Sequence, residues 1–334
     1  MTTRFAVRAL ARTGLGRIIG AMAPWSGVLG LNYHRVGEAN GSLFDHGLWS
    51  ASAEAFDRQV RFLKQHTDIV GPGDLPRVRR KGRGRFVILT FDDGYRDNYD
   101  LAFPILRSHG VPATFFLTTG FLDRRELAWW DEIAWMVRSS QKPGIDAGRW
   151  FTSPVAFDEP AREAAVRIVL RTYKNLPGDE TTAYLDDLGV ATGSGRWRSP
   201  ADSATWMTWD MAREMRAAGM VIGGHTVNHP VLAHLSPEQQ WVEIDGCRRR
   251  LLEELGEPML YFSYPVGSRQ AFDGDTRHLL MRAGVQCAFS YYGGLQRLDH
   301  VDDFDLPRIP IESFMDRDWF QAVVTLPMVF GREQ

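Results

Sequence analysis

Phe86-Val87-Ile88-Leu89 runs without a polar interruption into Thr90-Phe91-Asp92-Asp93-Gly94. A short apolar run that stops on two carboxylates and a glycine reads as a buried strand ending at the edge of a sheet. In α/β folds ligands and chemistry collect at such strand ends. Neighbouring side chains there diverge, so Asp92 and Asp93 can do different work in one site, one on a metal and one on a proton. The plain alternative is an Asp-Gly turn after a strand.

The flanking sequence repeats this rhythm. A strand is expected over 28–34, ending in His34, then a helix over 53–66 with Phe56, Val60, Phe62 and Leu63 on its apolar face. A short helix over 101–109 stops at Gly110, and a strand follows over 113–117. Alternation resumes at Thr208, which caps a helix to about 218. A strand over 221–224 delivers His225. Helices are expected over 237–254 and 276–283, and strands over 260–264 and 286–290. Repeated βα units of this length indicate a parallel barrel or sheet.

Residues 124–205 break the rhythm. They hold Trp129-Trp130, a helical stretch near 161–173 and a Gly/Ser-rich loop near 191–200. This stretch is expected to be an insertion packed on the main body of a domain spanning 28–330. Residues 1–27 read as an amphipathic helix, with Arg4, Arg8, Arg12 and Arg17 among Phe5, Leu10, Leu15, Ile18 and Ile19. Its basic face either docks on the protein or makes peripheral membrane contact. The apolar stretch 18–31 is broken by Pro24 and is too short to span a bilayer. No signal-peptide cleavage site stands out, so the expected location is cytoplasmic, with that membrane contact as the variant.

Net charge is −2 over 334 residues, which leaves no footprint for nucleic acid. Cys247 and Cys287 stand alone, with no CxxC pair, and support neither a disulfide framework nor a zinc-thiolate site. Eleven tryptophans either line a sugar groove or fill the core.

His225-Thr226-Val227-Asn228-His229-Pro230 is the second chemical element. Histidines four apart share one face of a helical turn or converge from a tight loop, and both suit a metal. Two histidines and one carboxylate make a facial site with open positions for water and substrate. A non-haem iron oxygenase is the competing reading. Such sites usually take a His-x-Asp/Glu element on a β-sandwich, and none accompanies these histidines.

With both elements in view, the chain resembles the polysaccharide deacetylase family, also called the NodB homology domain or carbohydrate esterase family 4. Thr90–Gly94 is similar to the family's first motif and His225-Thr226-x-x-His229 to its second. The resemblance covers roughly 28–125 and 205–312. It implies an α/β fold, a distorted (β/α) barrel of that type with a large helical and irregular insertion. It also implies that Asp93, His225 and His229 bind a divalent metal, with zinc the default and cobalt, nickel or iron suited to the same ligands, and that Asp92 is the general base.

The third motif departs from the family's Arg-x-Pro-Tyr/Phe. Here Phe262-Ser263-Tyr264-Pro265-Val266-Gly267 takes its place, and Ser263 stands where the arginine that steadies the base would be. The Val266 N–H is the expected oxyanion donor, and Tyr264 either lines the pocket or packs. Arg308, in Leu306-Pro307-Arg308-Ile309-Pro310, is the candidate replacement for the arginine, with a surface ion pair as the alternative. For the general acid, which the family supplies from Leu-x-His, Leu298-Asp299-His300 fits by letters. His34 fits by its strand-end position, which resembles the permuted exopolysaccharide and biofilm branch. The implied activity is metal-dependent hydrolysis of acetyl groups from N-acetylated sugars of a polysaccharide or its precursor. A non-catalytic glycan-binding protein and an O-acetyl esterase on the same fold are the alternatives.

Overall fold

The computed structural model describes residues 25–158, 161–198, 205–299 and 301–331. His300 and nearly all of the amphipathic segment expected over 1–27 lie outside the described residues. No helix among the described residues is long and apolar enough to cross a membrane.

The body is built from β1 (Gly27–Tyr33), α1 (Ala53–His66), β2 (Arg85–Phe91), α2 (Phe103–His109) and β3 (Thr114–Leu117). After a short helix at Thr119–Arg124, three longer ones follow, α3 (Trp129–Ser139), α4 (Arg162–Lys174) and α5 (Thr181–Thr192). Alternation then resumes with α6 (Trp209–Ala217), β4 (Val221–Gly224), α7 (Pro237–Leu255), β5 (Tyr261–Ser263), α8 (Gly274–Arg282), β6 (Cys287–Phe289) and β7 (Arg308–Pro310). Caps set several boundaries. Ser52, Thr208 and Ser236 each accept an N–H of the first turn, and Gly110 and Gly256 end their helices in left-handed backbone.

The strands run in the order β6-β5-β4-β3-β2-β1-β7, all parallel, with Asp68–Ile69 also pairing with β2. The edges meet. Leu306, just before β7, bridges to Phe289 of β6, and β7 itself pairs with β1. The sheet therefore closes into a nearly complete barrel through one segment, 306–310.

Period-two alternation sorts each strand onto two faces. Leu29, Leu31, Val87, Leu89 and Phe91 join the apolar layer under the helices with Phe56, Val60 and Leu106. Val28, Phe86, Ile88, Phe116 and Phe289 form the other cluster, in the barrel interior. The interior sequence of β2 thus reads Phe86, Ile88, Thr90, with Asp92 next, and that of β1 reads Val28, Gly30, Asn32, with His34 next. The interior is apolar at its base and polar at the carboxyl end, where catalytic groups of barrels belong.

Residues 124–205 are more regular than expected. Only α4 corresponds to an expected helix. Helices α3 and α5 were not foreseen, and the expected loop begins only after Thr192. Their apolar side chains form a separate cluster, tied to the barrel through Tyr95, Phe121 and Trp206. The expected elements also omit β7, the Asp68–Ile69 strand and a short helix, Leu75–Lys81.

Candidate active site

Asp92 and Asp93 leave the end of β2 in different directions. Asp92 keeps the alternation of the strand. Asp93 has φ +77, a left-handed backbone seldom adopted by residues other than glycine, and breaks that alternation. Its carboxylate meets the loop after β4. That loop is a tight turn, not the helical turn that His-x-x-x-His spacing also allows. Thr226 and His229 have φ +66 and +57. The His229 N–H donates to the Thr226 hydroxyl at 2.9 Å. Glu243 of α7 accepts from the Val227 and Asn228 N–H groups at 3.0 and 2.8 Å.

This turn brings Nε2 of both His225 and His229 to 3.5 Å from Asp93 Oδ1. One donor atom from each of the three residues lies within 4.8 Å of the other two. Ligands bonded at about 2.1 Å to one tetrahedral cation stand roughly 3.4 Å apart, so the spacing fits a metal. The donor states fit as well. The Ser263 carbonyl can only accept, so His225 Nδ1, 2.7 Å away, carries the proton and leaves Nε2 a bare lone pair. Asp93 Oδ1 is buried with no hydrogen-bond partner, a state that costs folding free energy unless a cation meets it. Trp130 sets its ring against His229 at 4.5 Å between centroids, and Trp129 Nε1–H donates to the His229 carbonyl at 3.2 Å.

Asp92 faces the other way, into a dense set of donors. Arg308 grips it with two parallel bonds, Nη1 to Oδ1 at 2.8 Å and Nη2 to Oδ2 at 2.9 Å. Ser263 Oγ and Asn32 Nδ2 also donate to Oδ2, at 3.1 and 3.2 Å. Arg308 is 0% exposed, which overturns the surface ion pair as its role. Its remaining donors reach Ser263 Oγ, the Ser290 carbonyl, Asn32 Oδ1 and Thr90 Oγ1. An arginine on Ser263's strand would compete for this space. The serine leaves room for a guanidinium arriving from β7. Gly30 leaves room too, since a Cβ there would stand 2.8 Å from Arg308 Cγ and 2.9 Å from the Pro307 carbonyl oxygen. Burial alone would raise the Asp92 carboxyl, but Arg308, aided by His225, outweighs it and holds the group well below the usual carboxylate range.

His34 is half-buried at the end of β1. Its N–H donates to Ser50 Oγ at 3.0 Å, its carbonyl accepts from Asn98 Nδ2 at 2.6 Å, and Tyr291 meets its ring edge-on at 5.6 Å. Burial lowers its pKa more than Asp93 and Asp92 raise it, so the ring is neutral at pH 7. Val266 has φ +62, and its N–H has no partner among the described residues. Tyr264 mainly packs: its ring stacks on Phe272 at 3.8 Å and its hydroxyl donates to the Phe304 carbonyl, while its edge reaches the pocket.

The structure thus brings Asp92, Asp93, His34, His225, His229, Tyr264 and Val266 to one pocket of about 670 Å³, with Arg308 behind Asp92. Sequence reasoning missed Asn32, Glu243 and Gly30. Asn32 left a trace, as a polar residue inside an apolar strand, whereas Glu243 reads as any charged position on an amphipathic helix.

A profile of the polysaccharide deacetylase family matches residues 79–145 and 181–288. A poly-β-1,6-N-acetyl-D-glucosamine N-deacetylase of Staphylococcus aureus is 34% identical over 104 residues, 28% of this chain and 36% of the relative. The chain therefore matches about a third of the length of that curated relative. Among solved structures, the deacetylase PplD of Streptococcus pyogenes in complex with acetate superposes with TM-score 0.57 at 19% identity, over 90% of this chain and 99% of that one. IcaB from Ammonifex degensii gives TM-score 0.55 at 20% identity, over 90% and 96%. At these identities the two structures establish the shared fold.

Proposed function

Because the chain belongs to the polysaccharide deacetylase family, we propose that it is a metal-dependent hydrolase that removes acetyl groups from N-acetylated sugars of a polysaccharide or its precursor. Exopolysaccharide or cell-envelope synthesis is the setting this reading implies. The observation that carries it is a single pocket holding three converging metal-donor residues, Asp93, His225 and His229, beside a carboxylate that Arg308 keeps charged.

An amide resists hydrolysis at neutral pH, so both water and carbonyl need activation. A divalent cation held by Asp93, His225 and His229, zinc by preference, supplies Lewis acidity that acidifies water and polarises a carbonyl. Asp92 takes the proton of the attacking water. Held low, it is charged at neutral pH but a weak base, and it hands the proton on readily. The Val266 N–H donates to the developing oxyanion. His34, neutral at rest, receives the proton and delivers it to the leaving nitrogen, which otherwise departs as an unstable amide anion. Acetate and an amino sugar are the products.

A site lacking the motif-three arginine would favour the glycan-binding alternative. Arg308 meets the need that absence created, so a charged base speaks for turnover. Acetate release from N-acetylated and O-acetylated glycans, with and without chelator, tests the reading and separates amidase from esterase. Asp92→Asn is expected to abolish release while metal still binds. Metal-loaded protein that releases no acetate from either class would sink the proposal.

A further inference from the structure

Helix α4 contributes one wall of the pocket, and that wall is cationic. Arg167, Leu170, Arg171 and Lys174 fall on one helical face and line the same cavity as Asp92 and Asp93. No carboxylate lies within ion-pair distance of Arg167, Arg171 or Lys174 among the described residues. Several arginines elsewhere in the same region are paired. Arg138 pairs with Glu163, Arg149 with Glu180, and Arg196 with Glu132 and Asp186. The three cations of α4 that line the pocket have no such partner among the described residues.

The other charges of the cavity do not cancel this wall. Asp92 is already held by Arg308, and Asp93 faces its histidines. Asp45 and Glu312 are felt by Lys174 without forming an ion pair with it. Burial, followed by smaller effects, pushes the Glu312 carboxyl up to about 7. Glu163 is felt by Arg167 across one helical turn but is paired with Arg138, so Arg167 and Arg171 present guanidinium groups with no contacting carboxylate, the side chain best matched to phosphate and carboxylate. A plain N-acetylglucosamine polymer suits this wall poorly. It is neutral before reaction, and each amine released becomes an ammonium that the guanidinium groups repel.

We propose that the substrate is an anionic glycan, in which a phosphate or carboxylate beside the acetamido sugar is held by Arg167, Arg171 and Lys174. This rests on the deacetylase reading and names its substrate class. The test offers three probes to the metal-loaded full chain and follows acetate: a neutral N-acetylglucosamine tetramer, an N-acetylglucosaminyl phosphodiester, and an oligosaccharide alternating N-acetylglucosamine with glucuronate. An anionic probe is expected to be favoured by about tenfold or more in kcat/KM, with the preference shrinking as salt rises. The phosphodiester and uronate arms identify the anion. In Arg167→Gln/Arg171→Gln the preference should collapse through KM, and Arg167→Lys/Arg171→Lys should restore part of it.

Equal or better turnover of the neutral tetramer overturns the proposal and leaves the deacetylase reading intact, as does a preference that survives the double Gln variant. If no probe releases acetate, binding of the same three probes to the Asp92→Asn protein decides. Tighter binding of an anionic probe, lost in the double Gln background, upholds the anionic class after the hydrolase reading has failed. Binding that ignores charge, or no binding of either anionic probe, overturns it.

Discussion

Asp92 shares the barrel interior with Arg308, Ser263 and Asn32, and its charge depends chiefly on the first of these. Its carboxyl lies below the ordinary 3.8 of aspartate. The ion pair therefore adds stability at every pH above the unfolded value, and that stability is lost as pH falls through the lowered one. Arg308→Met leaves burial opposed only by the weaker help of His225, His34, Ser263 and Asn32. The Asp92 pKa should then rise, moving the acid limb of kcat/KM to higher pH, and stability at pH 7 should drop by about 3–5 kcal/mol. Urea denaturation and a pH–rate profile check the two parts. An unmoved acid limb would show that Asp92 is charged by other means. Arg308→Lys keeps the charge but not the paired bonds, and should fall between.

The turn after β4 is the element on which metal binding hangs. Glu243, on α7, holds two of its N–H groups and the Asn228 side chain without itself being a ligand. Glu243→Ala is expected to weaken metal affinity by about 10–100-fold with the barrel intact, read by metal titration beside far-UV circular dichroism. At this scale the sequence was legible where periodicity and caps were clean. Helix α1 has the foreseen bounds, 53–66, because Ser52 caps it and its apolar residues recur on one face. Helix α3 was missed although its apolar residues recur at helical spacing, because the buried Asp131 and Glu132 interrupt that pattern on the core side. Strand β7 was hidden for another reason. Three residues that follow Pro307 and end in Pro310 read as loop, and only pairing with β1 makes them a strand. The ligands were readable from spacing, whereas Arg308, 216 residues from Asp92, was legible only as one of two readings, a partner for the base or a surface ion pair, which its burial against Asp92 separates.

At the scale of the molecule, a second apolar cluster is seated on the barrel, and the seam contains ionisable groups. Asp131 is buried there, accepting from the Tyr95 hydroxyl at 2.9 Å and from the Asp45 N–H at 2.9 Å. Burial, opposed by Arg35, pushes its carboxyl up to about 7 from 3.8. Between those values the folded state holds a proton that the unfolded chain has released, so this group makes stability fall as pH rises from about 4 to 7. Asp131→Asn should flatten that part of the stability curve, measurable by denaturation at several pH values. A slope unchanged in the variant would place the titration elsewhere. The closure of the barrel has a consequence in time as well as in space. Segment 306–310 is the last strand-forming stretch to be synthesised among those described, and it both joins the open edges and carries Arg308. A nascent chain or a proteolytic fragment ending before Leu306 would own every metal ligand and the acid, yet its base would lack its counter-charge. Catalytic competence is thus expected to switch on only with completion of the barrel, which makes turnover itself a reporter that the chain has finished folding.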